Sequence, residues 1–192
     1  MLDAARDILV REGYEALSMR RVAEKIDYSA TTIYLHFKDR DELVFHVCEA
    51  FLAGLIRELQ AIIDRTDDPL VALRKALRRY VAYGLANPQQ YLATFVIPHA
   101  HTPEADARYQ ENSTMSARSF AMLEQLVSEV LRRQKLSRLD PGTVSRACWA
   151  GVHGITSLLI VIPTFEWGNR DRVIDQLVSQ LVDGLLSARS GR

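Results

Sequence analysis

The residues that could do chemistry lie close together near the start of the chain, between Ser18 and Arg40. They are hydroxyl and basic side chains, which hydrogen-bond to phosphate oxygens and to base edges. Ser18 can cap one short helix, Asp27 and Tyr28 can form a turn, and Ser29 can cap a second short helix. This spacing favours a helix-turn-helix that places its second helix in the major groove of DNA. It fits an ordinary three-helix packing unit with a polar surface equally well.

The candidate DNA-contacting residues lie on the outer side of this segment or at the start of the helix that follows. Ile33 and Phe37 point the other way, toward a core. Lys38 and Arg40 precede a helix whose free backbone amides attract phosphate. The candidates are Ser18, Arg20, Arg21, Ser29, Ala30, Thr31, Thr32, Tyr34, His36, Lys38 and Arg40.

Helical periodicity dominates the elements that must position these residues, and no run has the pattern of a strand. Gly13 is placed to end the first helix, and Ser18 and Ser29 begin the next two. Asp39 and Glu42 form an acidic capping box, which opens a helix that runs to about Asp64. We count about nine helices, which predicts an all-α fold with a three-helix head at its N-terminus.

Composition sets the class of protein but not its partner. The 192 residues include 24 basic and 24 acidic side chains, so net charge gives no argument for nucleic acid. Cys48 and Cys148 lie in apolar helical patterns, as small core residues do in a reducing compartment. No signal-peptide pattern is present, and the longest apolar stretch, 151–162, is too short to span a bilayer. We expect a soluble cytoplasmic protein without a membrane partner.

The last two predicted helices carry apolar residues around more of their surface than a terminal helix usually buries. Bands of this width indicate contact with a second molecule. Two such helices packed about a two-fold axis form a four-helix bundle between two copies of a chain. We predict a homodimer, with burial inside the monomer as the alternative. The predicted interface residues are Val152, Ile155, Leu159, Ile174, Leu177, Val178, Leu181 and Leu185.

The run AARDILVREGYEALSMRRVAEKIDYSATTIYLHFKDRDELV closely resembles the N-terminal domain of TetR-family transcriptional regulators. It covers about a quarter of the chain, and the order and spacing of many unlike residues agree. Ser18 stands where Thr is usual and keeps the capping hydroxyl. The matching positions include Gly13, Tyr14, Val22, Ala23, Tyr28, Ser29, Thr32, Ile33, Tyr34, His36, Phe37, Asp41, Glu42 and Leu43.

Besides Ser18, three residues depart from the family pattern. Asp27 stands where Gly is usual, and Asp tolerates a left-handed backbone better than most residues. Thr31 replaces a usual Gly or Ala and adds a branched side chain facing DNA. Arg40 replaces a usual Lys, which keeps the charge and changes its geometry.

The resemblance implies a DNA-binding domain over residues 1–47, with its motif at 18–37, and a helical effector-binding and dimerisation domain over 48–192. It also implies operator DNA and a small-molecule effector as partners, with repression relieved by an apolar or amphipathic effector. Trp149, His153 and Gly154 resemble the Trp…His-Gly signature of one TetR subgroup. The candidate ligand-binding residues are Phe51, Leu55, Tyr80, Tyr83, Tyr91, Phe95, Phe120, Trp149 and His153.

Alternatives remain for the second domain. Trp149 and His153 are four residues apart, share a helix face and fit a core stack at least as well as a ligand site. A dimeric DNA-binding protein of the same fold without an effector is a second function, and an enzyme using the pocket around His153 is a third. No nucleophile motif, glycine-rich phosphate loop or metal cluster is present in the sequence. We therefore expect no enzyme activity, no cofactor and no metal.

Overall fold

The computed structural model describes residues 1–97 and 114–187. These residues contain nine α-helices and no strand, which confirms the all-α prediction. The sequence also predicts a helix from Thr102 to about Leu136, and the first part of that range lies outside the described residues. The helices are α1 (Leu2–Glu12), α2 (Met19–Lys25), α3 (Ala30–Tyr34), α4 (Arg40–Asp64), α5 (Pro69–Ala86), α6 (Pro88–Phe95), α7 (Met115–Arg133), α8 (Pro141–Val161) and α9 (Arg170–Ser187).

The helix boundaries follow the capping chemistry of the sequence. Gly13 ends α1 with a φ of 86°, a left-handed backbone that favours glycine. At the start of α4, Asp39 Oδ1 accepts a hydrogen bond from the Glu42 amide at 2.8 Å. Glu42 Oε2 accepts one in return from the Lys38 amide at 2.6 Å. These bonds confirm the acidic capping box, and α4 ends at Asp64 as predicted.

The chain forms two compact units rather than dividing at one point. The first unit comprises 1–54 and 87–116, and the second comprises 55–86 and 117–192. The first unit includes α6 because this helix packs on α1 and places Ala93, fully buried, in the same core. The domain boundary after residue 47 stays a prediction.

The core of the first unit holds the helix-turn-helix in place. Leu9, Val22, Ile33 and Leu43 come from four successive helices and are fully buried there. Burial of an aliphatic side chain stabilises a fold by roughly 1.5–3 kcal/mol. Ile33 is the fully buried residue of α3 in this core, and Ala30 packs partly against it, while Thr31 and Tyr34 are exposed.

The second unit is a helical bundle in which α5, α8 and α9 pack against one another in pairs. Leu73, Val127 and Val182 are fully buried in its core. Two ion pairs, Arg74 with Asp183 and Arg78 with Asp175, join α5 to the antiparallel α9. Both pairs are partly exposed, so each adds little to stability compared with the core.

α8 is a long and apolar helix. It has 21 residues and could cross a membrane by length and composition alone, with a third of the tested window buried. The core helix of a globular domain has the same properties, and α8 packs on both α5 and α9.

Most of the predicted dimer residues face the core of this chain. Val152, Ile155, Leu159, Ile174 and Val178 are buried there, while Leu177, Leu181 and Leu185 are half-buried. These five residues pack in the core of this chain, and their contact with a second copy stays a prediction. A different side of α8 exposes Leu158, Val161 and Ile162.

Candidate functional site

The short helix α3 has a buried side and an exposed side. Ile33 is fully buried and Phe37 is 9% exposed, and both face the core of the first unit. Thr31, Tyr34 and Leu35 lie at positions i, i+3 and i+4, so they share the opposite face. Tyr34 is 57% exposed and Leu35 is 79% exposed. One face of this helix is therefore open to the solvent, while its other face packs in the core of the first unit.

The turn before α3 is built as the sequence predicts. Asp27 has a φ of 56°, the left-handed conformation expected where the resembled family has Gly. Tyr28 then donates its amide hydrogen to the Ala23 carbonyl oxygen at 3.0 Å, which closes the end of α2. Ser29 Oγ accepts from the Thr32 amide at 3.2 Å and lies 2.9 Å from Thr32 Oγ1. The predicted cap is confirmed, and it engages both hydroxyl groups within the helix.

Arg20 and Arg21 of α2 differ in the contacts that their side chains make. Ser18 caps this helix by accepting from the Arg21 amide at 3.2 Å. The Arg21 guanidinium donates to the Glu12 carboxylate and to the Ala16 carbonyl oxygen, so it braces α2 against the preceding segment. Arg20 forms an i,i+4 pair with Glu24 at 2.8 Å, and this pair is highly exposed. An exposed pair exchanges readily with another anion.

Arg40 has partners inside the first unit. Its Nη2 donates to the Tyr14 carbonyl oxygen at 2.6 Å, and its guanidinium carbon lies 4.3 Å from the centroid of the Tyr14 ring. A phosphate contact by this side chain would have to compete with both interactions. Lys38, by contrast, is exposed, and its ammonium forms no ion pair with the described residues. His36 is also exposed, and Ala30 is half-buried.

Leu35 is a surface residue that is absent from the predicted DNA-contacting set. It is the most exposed large apolar side chain among the described residues. It follows Thr31 by four residues, and the Leu35 amide donates to the Thr31 carbonyl oxygen at 3.2 Å, so the two share a helical turn. That i,i+4 spacing from a predicted DNA-facing residue is the signal that could have identified it.

A second cluster of polar groups lies in the other unit, where α5 meets α8. Trp149 Nε1 donates to Tyr80 Oη at 3.3 Å, and Tyr80 Oη lies 3.3 Å from His153 Nδ1. The Tyr80 hydroxyl can donate to the His153 ring or accept from it, and the direction depends on the tautomer of His153. Ser157 Oγ lies 3.5 Å from the other ring nitrogen, Nε2.

Aromatic rings surround this polar cluster. The Trp149 and His153 ring centroids are 5.4 Å apart, and the Phe120 and Trp149 centroids are 6.4 Å apart. Burial lowers the pKa of His153, because the apolar surroundings disfavour the imidazolium. Trp149 is nevertheless 38% exposed, so the cluster is not a closed core stack. Its aromatic rings carry a few groups that can form hydrogen bonds, and this composition is typical of a site for an organic ligand.

The other predicted ligand residues are not all beside this cluster. Phe51, Tyr91 and Phe95 belong to the first unit, where Tyr91 is fully buried. Leu55 and Tyr83 belong to the second unit, with Leu55 buried. Within residues 1–97 and 114–187, no group of three or more His, Cys, Asp or Glu could hold a metal ion. The structure thus brings together Tyr80, Phe120, Trp149 and His153, and their role toward a ligand stays a prediction.

Two family models match the sequence over most of its length. Residues 1–47 match the model described as bacterial regulatory proteins, tetR family. Residues 73–185 match the model described as tetracyclin repressor-like, C-terminal domain. The second match alone spans more than half of the chain. These models describe transcription regulators rather than enzymes.

Similar proteins have been named and solved. The HTH-type nicotine-responsive transcriptional repressor HdnoR of Paenarthrobacter nicotinovorans is 25% identical over 97 residues, which are 50% of each chain. The chain spans about half the length, or less, of the curated relatives it matches. The fatty acid degradation regulator FadR from Bacillus halodurans has a TM-score of 0.78 at 13% identity, over 95% of this chain and 96% of that one. The regulator FadR from Bacillus subtilis, in complex with stearoyl-CoA, has a TM-score of 0.75 at 14% identity, with the same coverage. At these identities the two solved structures establish the fold.

Proposed function

Because the chain belongs to the TetR family of bacterial regulatory proteins, we propose that it is a cytoplasmic, homodimeric repressor that binds operator DNA. The observation that carries this proposal is the exposed face of α3. Thr31, Tyr34 and Leu35 project from it while Ile33 anchors the helix in the core. A helix of this kind, with its back buried and its front open, can enter the major groove.

Phosphate contacts would position this helix on the duplex. Tyr34 is exposed and carries a hydroxyl, which can donate to a phosphate oxygen. Lys38 is exposed just before α4, where the helix dipole also favours an anion. Arg20 can exchange its exposed partner Glu24 for a phosphate. These contacts fix orientation, and the residues on the face of α3 then meet the base edges.

A second copy of the chain would supply the second reading helix. Two-fold dimers of this kind bind half-sites about one DNA turn apart, roughly 34–36 Å. We place the contact on the exposed apolar side of α8, where Leu158 is 45% exposed and Val161 is 57% exposed. The small residues Ala147, Ala150 and Gly154 continue this side toward the start of the helix, and all three are exposed or half-buried. Small side chains let two helices approach closely.

The effector is proposed to be a small apolar or amphipathic molecule bound in the second unit. Tyr80, Trp149 and His153 supply polar tips on apolar bodies, which suits a molecule of that kind. The names of similar proteins support this class, since one is nicotine-responsive and another was solved with stearoyl-CoA. Binding would shift α4, which contributes residues to both units, and so change the spacing of the two reading helices.

Selection of genomic DNA tests the DNA-binding proposal directly. Purified protein is mixed with genomic fragments, and the bound fragments are sequenced and then titrated in gel shifts at fixed salt. We expect one enriched motif with two-fold symmetry, and weaker binding by Tyr34→Ala across all sequences. Val71→Ala, which removes an exposed side chain on α5, is the matched control and should bind normally. No enriched motif, or normal binding by Tyr34→Ala, would contradict the proposed docking.

Thermal shift tests the effector proposal separately. Stearoyl-CoA and nicotine are suitable first probes, followed by a library of apolar amphiphiles. We expect at least one compound to raise the Tm and to release the operator in the same concentration range. A compound that raises the Tm of wild-type protein but not of His153→Ala would place the effector beside that residue. Operator binding without any such compound would favour a DNA-binding protein that has no effector.

A further inference from the structure

We propose that α3 and Leu35, the residue that ends it, read thymine 5-methyl groups, with Leu35 as the principal contact, so that the operator half-site has thymine where Leu35 meets it. This inference rests on the proposed DNA-binding function and specifies what the reading helix recognises. It starts from Leu35, an apolar side chain that is 79% exposed beside two other outward-facing residues, Thr31 and Tyr34.

The reading segment lacks the side chains that distinguish bases by paired hydrogen bonds. Residues 29–36 have the sequence SATTIYLH, with no Arg, Lys, Asn, Gln, Asp or Glu. Guanine is commonly read by Arg or Lys, adenine by Asn or Gln, and cytosine by Glu or Asp. The remaining base feature of the major groove is the thymine methyl group, which apolar side chains contact.

The hydroxyl groups of the segment are partly engaged already. Ser29 Oγ accepts from the Thr32 amide at 3.2 Å, and the two hydroxyl oxygens lie 2.9 Å apart. They hold the first turn of α3 in its conformation, so they are poorly placed to reorganise for different bases. Tyr34 has its hydroxyl at the end of a long ring, where it reaches the backbone more readily than a base edge. The apolar atoms of the face are therefore the atoms that can recognise a thymine methyl group.

Leu35 is placed to make that contact together with Thr31. The two residues are one helical turn apart on the same face, joined by the hydrogen bond from the Leu35 amide to the Thr31 carbonyl oxygen. Their side chains form an apolar strip of a leucine isobutyl group and a threonine methyl group. Leu35 is largely accessible in the free protein, so its burial against a methyl group favours the complex through the hydrophobic effect. Cytosine lacks this methyl group at the same position.

Replacing thymine with deoxyuridine tests the inference, because it removes only the methyl group. The operator found by selection is resynthesised with single dT→dU changes in one half-site, and affinity is measured by fluorescence anisotropy at fixed salt. For wild-type protein we expect an affinity decrease of about fourfold for each methyl group that the protein buries. Leu35→Ala should bind the thymine operator less tightly and show no further decrease at the position that Leu35 contacts.

Two controls make the outcome decisive. Val71→Ala truncates another exposed apolar residue, on α5, and should keep the full sensitivity of wild-type protein to deoxyuridine. The Tm of Leu35→Ala should equal that of wild-type protein, because Leu35 is not in the core. Equal binding of thymine and deoxyuridine operators by wild-type protein would overturn the inference, as would an undiminished deoxyuridine effect in Leu35→Ala. Failure of wild-type protein to select any sequence would instead refute the proposed function.

Discussion

The guanidinium of Arg40 lies over the ring of Tyr14, 4.3 Å from its centroid, and donates to the Tyr14 carbonyl oxygen at 2.6 Å. One side chain therefore ties the segment after α1 to the first residue of α4. The two residues are 26 positions apart, so this contact helps to define the fold of the first unit. It also gives Arg40 a structural role where the sequence suggested a phosphate contact.

We predict that Arg40→Lys lowers the free energy of unfolding by about 1–3 kcal/mol. Lysine keeps the charge but has no planar group to lie over Tyr14 while donating to the carbonyl oxygen. Urea denaturation followed by circular dichroism measures the change. Retained charge should leave the salt dependence of DNA binding unaltered. Normal stability of Arg40→Lys would contradict this structural role of Arg40.

Lys38 provides a test of phosphate contact that is independent of stability. Its side chain is exposed, while its backbone amide is already bonded to Glu42 Oε2. We predict that Lys38→Ala lowers the slope of log affinity against log salt by roughly 0.9 for each phosphate that the variant no longer neutralises. Anisotropy titrations between low and moderate salt measure this slope. Lys75→Ala, which changes an exposed lysine on α5, should leave the slope as it is; an equal effect of both variants would count against a local contact.

The sequence predicts best what depends on a few neighbouring residues. Ser18, Ser29 and the Asp39–Glu42 box cap their helices as expected, because capping involves residues three positions apart. The turn at Asp27 is likewise local, and its positive φ follows from the family pattern at that position. Together these local features define the helix boundaries of the N-terminal helix-turn-helix.

Contacts between distant parts of the chain were not predictable in this way. Nothing in the local pattern pairs Arg40 with Tyr14, since that contact depends on how α1 and α4 pack. The apolar bands of α8 and α9 were recognised, but periodicity does not tell which side of such a band a neighbouring helix covers. Val152 and Ile155 consequently face inward, while Leu158 and Val161 face outward. Leu35 was missed because an apolar residue is expected to be buried.

His153 should make stability depend on pH. Burial lowers its pKa from the ordinary value of 6.5, so the folded protein binds the proton more weakly than the unfolded chain. The unfolded state therefore gains protons first as pH falls below that value, and stability decreases. We predict that the Tm of wild-type protein falls between pH 7 and pH 5, and that the Tm of His153→Asn falls less over this range. Circular dichroism melts measure both, and parallel curves would show that other groups cause the effect.

The exposed side of α8 should determine the oligomeric state. Leu158 is 45% exposed in the single chain, and a second copy that covers it would bury an apolar surface. We predict that Leu158→Glu converts the dimer to a monomer, because dimerisation would then bury two unpaired carboxylates. Sedimentation velocity measures the mass, and Val71→Glu, at a similarly exposed position on α5, should remain dimeric.

A substitution at Gly154 tests, without adding a charge, whether a second copy covers this side of α8. In the single chain an added Cβ at Gly154 meets no heavy atom within 4 Å, so alanine fits there. On an open face, Gly154→Ala should raise stability by about 0.8–1.0 kcal/mol through helix propensity alone. If the helices of two copies approach closely there, the new methyl groups collide and weaken the dimer. The variant dimer then dissociates at a higher protein concentration than the wild-type dimer does. We expect the second result, and a dimer of unchanged affinity with a raised Tm would move the interface away from this side of α8.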